Sequence, residues 1–304
     1  MKYELIIVRY GEVALKGKAT RKYFETTLIK NIKNALNKIH VTHKIKKEWG
    51  RIFVYTNQIS ESIDILQKIF GITTISPAFQ TQSDIASMSK LSVNILKEEL
   101  TEEKSFALRV TRTGRHVFSS QDVAVKIGNE LVKATQANVN LTKPDFELFI
   151  EIRDENAYMF TEKIRGAGGL PLGTQGKVLA LITNPESILA AWHLMRRGCA
   201  VVFGTTNKMD DKLLNSFISN WNVPIDILPV EAHGKNLYKK LNEIAFERNC
   251  DAIVTGHTLY ENSYNALSDV KLLKKYIEYP VLYPLISMKT NEINQKCKEI
   301  GIQL

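Results

Sequence analysis

Residues 166–187 read GAGGLPLGTQGKVLALITNPES. Five glycines and one proline among the first eleven positions fit no regular element, so 166–176 reads as an ordered linker. Next comes a mostly apolar strand, Lys177–Ile182. It closes on Thr183-Asn184-Pro185-Glu186-Ser187, where Asn at the N-cap and Pro at the first helical position announce a helix. Beyond this point strands and helices alternate: helix to Arg197, strand Ala200–Phe203, helix Lys212–Trp221, strand Ile225–Val230, helix Leu237–Arg248, strand Ala252–Thr255, helix Asn291–Ile300. Such alternation predicts a doubly wound parallel α/β sheet, whose ligands bind past the C-terminal ends of its strands.

Upstream of the linker the pattern changes. A strand at Glu4–Tyr10, an amphipathic helix over Arg21–Ile39, extended runs at Lys44–Glu48 and Arg51–Thr56, and a helix over Ile59–Ile69 with Gly71 as its C-cap form a ferredoxin-like half. A second α+β region opens at Ser76-Pro77. It predicts a helix over Ile85–Leu100, a strand at Ser105–Thr111, a helix over Asp122–Thr135, and a hairpin of Glu147–Arg153 with Asn156–Glu162. The expected domains are therefore 1–75, 76–165, the linker 166–176, and 177–304.

The chain has 304 residues and a formal net charge of +9. Met1–Thr56 holds 13 Lys and Arg against 4 Asp and Glu, so this first fifth carries the whole excess. A basic segment inside a folded domain suits a polyanion. A solvated lysine-rich face is the other reading of charge alone. No apolar run reaches membrane-helix length and the N-terminus does not read as a signal peptide, so the expectation is a cytoplasmic protein without a membrane partner. Cys199, Cys250 and Cys297 are widely spaced and the six histidines form no ligand pair, which predicts buried thiols and no metal.

Three stretches carry a family resemblance. Arg9-Tyr10-Gly11-Glu12 with Leu15-Lys16-Gly17-Lys18, Arg21 and Phe24, then Tyr158–Val178 with the glycine run, then 252–256 with 280–286, resemble the tRNA 4-thiouridine synthetases. The resemblance spans the chain and implies a ferredoxin-like domain, a THUMP domain and a PP-loop ATP pyrophosphatase domain. It implies that the first two grip the tRNA acceptor end. The residues expected to do so are Lys16, Lys18, Arg21, Lys46, Lys47 and Arg51, with Arg109, Arg112, Arg115 and His116 in the THUMP-like part.

The resemblance fails at the chemistry. In place of the family's Ser-Gly-Gly-x-Asp-Ser phosphate loop stands Thr183-Asn184-Pro185-Glu186-Ser187, one residue shorter and without glycine. Proline removes an N–H, and Glu186 is expected to set a carboxylate where phosphates would lie. Thr183, Asn184 and Ser187 remain as a weak anion site. Tyr238–Glu243 replaces a basic helix, Gly256-His257-Thr258 replaces Gly-Glu-Ser, and no cysteine falls at the family's sulfur-accepting position. The expectation is a tRNA-binding protein with sulfur transfer lost, no catalytic residue and no cofactor. Two alternatives stand: an active sulfurtransferase using ATP and Mg²⁺ with an external sulfur donor, or a partner subunit of a tRNA-modifying enzyme. A homodimer is compatible with either.

Overall fold

The computed structural model describes residues 2–206, 210–259 and 267–302. Two compact units emerge. The first comprises Met1–Arg9, Leu36–Gln67 and Thr74–Arg165, and the second Tyr10–Ala35, Lys68–Thr73 and Gly166–Leu304.

The first unit is built on one nine-stranded sheet. Its elements in chain order are β1 (Leu5–Arg9), the end of α1 (Lys18–Lys38), β2 (Lys44–Glu48), β3 (Arg51–Tyr55), α2 (Ile59–Leu66), β4 (Thr74–Gln82), α3 (Ile85–Leu96), β5 (Ser105–Thr113), α4 (Ser120–Thr135), β6 (Asn138–Val139), β7 (Phe146–Arg153), β8 (Asn156–Phe160) and β9 (Ile164–Arg165). The strand order is β2-β3-β1-β4-β8-β7-β5-β6, with β9 also pairing β4. Alternation along β7 divides its faces: Leu148, Ile150 and Ile152 pack against α3 and α4, while Phe149 joins Tyr158 and Phe160 on the other side.

That other side is closed by the sheet itself. Strands lie about 4.8 Å apart, so β3 and β8, three places apart, would stand roughly 14 Å apart in a flat sheet. Yet Phe53 of β3 stacks on Tyr158 of β8 with centroids 4.4 Å apart. The sheet curls about β4 until its halves face each other and bury Leu5, Ile7, Phe53, Ala78, Tyr158 and Phe160. Ser76-Pro77, expected to open a new domain, lies inside β4. Pro77 pairs Ile6 of β1, and on its opposite edge it falls between the stretches paired by β9 and by β8. No ladder donor is required there, which is where a central strand tolerates proline.

The second unit adds β10 (Lys177–Ile182), α5 (Pro185–Arg196), β11 (Ala200–Thr205), α6 (Asp211–Trp221), β12 (Asp226–Pro229), α7 (Lys235–Glu247), β13 (Ala252–Val254), α8 (Leu267–Tyr276), β14 (Val281–Leu282) and α9 (Thr290–Glu299). The sheet is parallel throughout, in the order β12-β11-β10-β13-β14. α5, α6 and α9 cover one face, and α7 and α8 the other. Strand order reverses between β10 and β13, so a ligand crevice belongs at their C-terminal ends.

Gly71 does not cap α2, which ends at Leu66. It sits at φ +99, where an added Cβ would come within 3.0 Å of Pro171. The glycine run is held by hydrogen bonds along its length. Gly168 donates to Ile72 O at 2.7 Å and accepts from Gly71 N at 2.8 Å, and Leu170 N donates to Arg196 O at 3.0 Å. Gly173, Thr174 and Gln175 donate to Gly198 O, while Asn31 and Tyr23 of α1 donate to Leu172 O and Gly173 O. At Gly169, φ is +74 and a Cβ would fall 2.0 Å from Arg196 O, so no other residue fits. Phe70 stacks on Trp221 and meets Trp192 edge-on within the same core.

Candidate nucleic-acid interface and nucleotide cleft

Much of the opening signature is structural. Arg9 reaches Glu151, Tyr10 Oη donates to Glu25 Oε1 at 2.6 Å, and Glu12 pairs with Arg197 at 3.0 Å. Glu151, only 6% exposed, is the hub of a buried ion cluster. Its Oε1 accepts from Arg51 Nε at 2.7 Å and Arg153 Nε at 2.8 Å, and its Oε2 from Arg9 Nη2 at 3.3 Å. Burial pushes the Glu151 carboxyl up, but Arg51, Arg153 and Arg9 together outweigh it and hold it below the ordinary carboxylate range. Burial draws the Arg9 guanidinium down to about 10, still charged at neutral pH.

This places the expected RNA contacts in two classes. Arg51 and Arg109 are committed to internal partners: Arg51 to Glu151, and Arg109 to Glu147 Oε1 at 2.7 Å and Leu141 O at 2.9 Å. Both are half-buried and serve the sheet first. Lys46, Lys47, Arg112 and Arg115 are exposed. Lys46 makes a surface pair with Glu48 at 2.9 Å, of the exchangeable kind. Arg112 touches His116, whose Nε2 lies 2.8 Å from Asp154 O, so the loop carrying Arg115 is held against the β7–β8 turn. Lys46 and Lys47 stand on β2 at one end of the sheet order, and Arg109 and Arg112 on β5 near the other. Lys16, Lys18 and Arg21 belong to the second unit, at the end of the 3₁₀ turn Glu12–Leu15 and the start of α1; the two lysines are exposed.

One exposed residue escaped the sequence reading. Trp49 is 71% exposed at the two-residue turn between β2 and β3, with Gly50 at φ +72. Its signal was a tryptophan set among Lys44, Lys46, Lys47 and Arg51.

The crevice at the β10–β13 switch point exists, with a volume of about 300 Å³. Leu181, Thr183, Asn184, Tyr238, Thr255 and His257 line it. Its loop, however, is closed on itself. Ser187 Oγ accepts from Thr183 N at 3.0 Å and Asn184 N at 3.2 Å, and Asn184 Oδ1 accepts from Ser187 N at 3.0 Å. Ser187 is buried, and an added Cβ on Gly256 would lie 2.9 Å from its backbone. Glu186 departs from expectation: it does not line the crevice. Instead its charge adds to the burial that pushes the Cys297 thiol up to about 11. All three cysteines are buried, and among the described residues no cluster of His, Cys, Asp and Glu is arranged to hold a metal. No described helix is long and apolar enough to cross a membrane.

Residues 5–76 match the ThiI ferredoxin-like domain, 82–162 the THUMP domain and 233–303 the thiamine biosynthesis protein ThiI. The last match begins beyond the loop at 183–187. A probable tRNA sulfurtransferase of Methanobrevibacter smithii is 31% identical, the alignment covering 99% of this chain and 87% of the relative. One from Methanocaldococcus jannaschii is 32% identical over 97% and 87%. The first alignment runs to 337 positions, more than this chain contains, so the relative carries segments absent here. Among solved structures, a 4-thiouridine synthetase in complex with RNA and bound ATP superposes with a TM-score of 0.84 at 25% identity, covering 99% of this chain and 85% of that one. A Pyrococcus horikoshii protein gives a TM-score of 0.83 at 28% identity, covering 98% and 100%.

Proposed function

The chain belongs to the tRNA sulfurtransferase family, and from that premise we propose that it binds the acceptor end of tRNA without performing ATP-dependent sulfur transfer. The ferredoxin-like and THUMP parts supply the RNA surface: Lys46, Lys47, Arg112 and Arg115 are exposed cations held on a stiff sheet or a pinned loop. Binding of this kind rests on phosphate neutralisation, with recognition by shape and by a single-stranded end.

The observation that carries the loss of chemistry is the closed loop. A phosphate at a helix start is held by free N–H groups of the first turn. Here the Asn184 and Ser187 N–H groups are bonded to each other's side chains and Pro185 has none. Thr183 N–H is bonded to Ser187 as well. Only the Glu186 N–H at this helix start stays outside that network, too few donors to cradle a nucleoside triphosphate while the loop stays closed.

A second reading keeps the reaction. It is favoured by the crevice at the expected switch point and by the extent of the match to an ATP-bound relative. In that reading the loop must open, giving up the hydrogen bonds that tie Thr183, Asn184 and Ser187 together. Isothermal titration with Mg-ATP, then a pyrophosphate-release assay with tRNA, separates the two. The expected result is tRNA binding by gel shift with no micromolar ATP binding and no release. Micromolar binding with tRNA-dependent release establishes the enzyme instead.

A further inference from the structure

Trp49 combines three properties that a structural residue does not need. The residue is 71% exposed, and its ring has no aromatic or cation–π partner among the described residues. Trp192, by contrast, is 7% exposed in the core, and Trp221 donates its indole N–H to Ile300 O. The backbone beneath Trp49 is unusually well held for a turn. Its carbonyl accepts from Arg153 Nη1 at 3.1 Å, and that of Gly50 accepts from Arg51 Nη1 at 2.8 Å. Both arginines are anchored on the buried Glu151. The turn therefore presents a large flat side chain from a rigid base, so little entropy is lost when that face is covered.

The surroundings name the occupant. Residues 44–51 hold Lys44, Lys46, Lys47 and Arg51 against Glu48 alone. An aromatic plane flanked by lysines is the arrangement that binds single-stranded nucleic acid, with a base on the ring and phosphates along the cations. We propose that Trp49 stacks on an unpaired base of the bound RNA, with Lys46 and Lys47 beside the adjoining phosphates. This rests on the tRNA-binding reading above and adds to it the residue that engages a base rather than the backbone.

The test uses the full chain and a fluorescein-labelled acceptor-stem minihelix, read by anisotropy across a salt series. Trp49→Ala should weaken binding about thirtyfold, the middle of what base–aromatic stacking contributes, while Trp49→Phe recovers part of the loss. The slope of log K against log salt should stay at the wild-type value, because stacking releases no counterions. Lys46→Ala with Lys47→Ala should flatten it. An unlabelled minihelix should quench tryptophan emission in the wild type and leave Trp49→Phe unquenched. On a blunt minihelix with no unpaired bases, the Trp49→Ala penalty should vanish. If the wild type fails to bind any minihelix, the tRNA reading itself falls. If it binds and Trp49→Ala binds equally well without loss of quenching, stacking is refuted and Trp49 serves another partner. A full penalty on the blunt duplex refutes the unpaired base.

Discussion

Replacing Glu151 with Gln tests whether the first unit is closed by its ion cluster or merely decorated by it. The substitution keeps the volume and leaves an amide oxygen, but removes the single carboxylate to which Arg9, Arg51 and Arg153 all point. At charge separations near 4 Å and an effective dielectric of about 20, each pair is worth about 4 kcal/mol gross. Desolvation and repulsion among the arginines cancel most of that sum. Stripping one partner from a buried pair costs about 3–5 kcal/mol, because the remaining charge stays buried. Glu151, Arg9 and Arg153 are each about a tenth exposed and Arg51 about a quarter, so solvent screening relieves little. Three guanidiniums lose one acceptor at once. The expected destabilisation of Glu151→Gln is therefore toward the upper part of that range.

Urea unfolding followed by circular dichroism measures it, and pH gives the sign. The folded carboxyl lies below its unfolded value, so its contribution is complete above about pH 4.3 and is lost as pH falls through the folded value. The gap between wild type and Glu151→Gln should be flat from about pH 5 to 8 and narrow only below about pH 4. A loss under about 1 kcal/mol at pH 7, or a gap that widens in acid, refutes the reasoning.

Two further substitutions probe the proposed RNA surface and the glycine run. Arg112→Ala with Arg115→Ala should weaken tRNA binding and reduce the salt slope by about 0.7–0.9 for each phosphate left unneutralised; an unchanged slope in the titration removes both from the RNA surface. Gly169→Ala sets a Cβ 2.0 Å from Arg196 O at φ +74, so it should cost several kcal/mol or prevent folding. A wild-type urea midpoint would show that the glycine run yields.

The legible parts of the sequence were those written locally. The β7–β8 hairpin appears within two residues of its expected limits, and α5 begins where Asn184 and Pro185 announce it. Features that stayed hidden depend on partners far along the chain. Arg51 and Arg109 read as RNA contacts because their lysine-rich or loop surroundings are visible, whereas Glu151 and Glu147 lie 100 and 38 residues away. The same distance conceals why Gly71 needs its conformation, since Pro171 is what it must clear. α8 and β14 went unread: α8 is short and weakly patterned, and β14 is only two residues long. Glu186 was placed among phosphates by position in a motif, but its charge is felt at Cys297 on α9 instead. Trp49 falls in the gap between the two extended runs, where neither helical nor strand periodicity reports on a side chain.

Helix capping and anion binding draw on the same few N–H groups, so a closed cap and a bound phosphate compete for them. The Asn184–Ser187 capping box satisfies donors that a buried helix start would otherwise leave unpaired, and such a cap stabilises by about 1 kcal/mol. A ligand-binding loop must leave those donors free and accept the cost. With Pro185 lacking a donor and the Thr183, Asn184 and Ser187 N–H groups bonded within the loop, a phosphate that uses those three groups must break the cap. The closed loop leaves the core packed by Ile188, Leu189 and Met195 of α5 untouched. The proposed RNA surface is under no such conflict. Its exposed cations on β2, on β5 and just after β5 are not needed to satisfy the backbone, so the sheet can hold them whether or not the crevice performs chemistry. Ser187→Ala separates these roles: it should lower stability by about 1 kcal/mol through the broken cap and leave tRNA affinity unchanged. A Ser187→Ala protein that binds tRNA about tenfold less tightly would mean that the loop and the RNA surface are linked, and that the crevice still takes part in recognition.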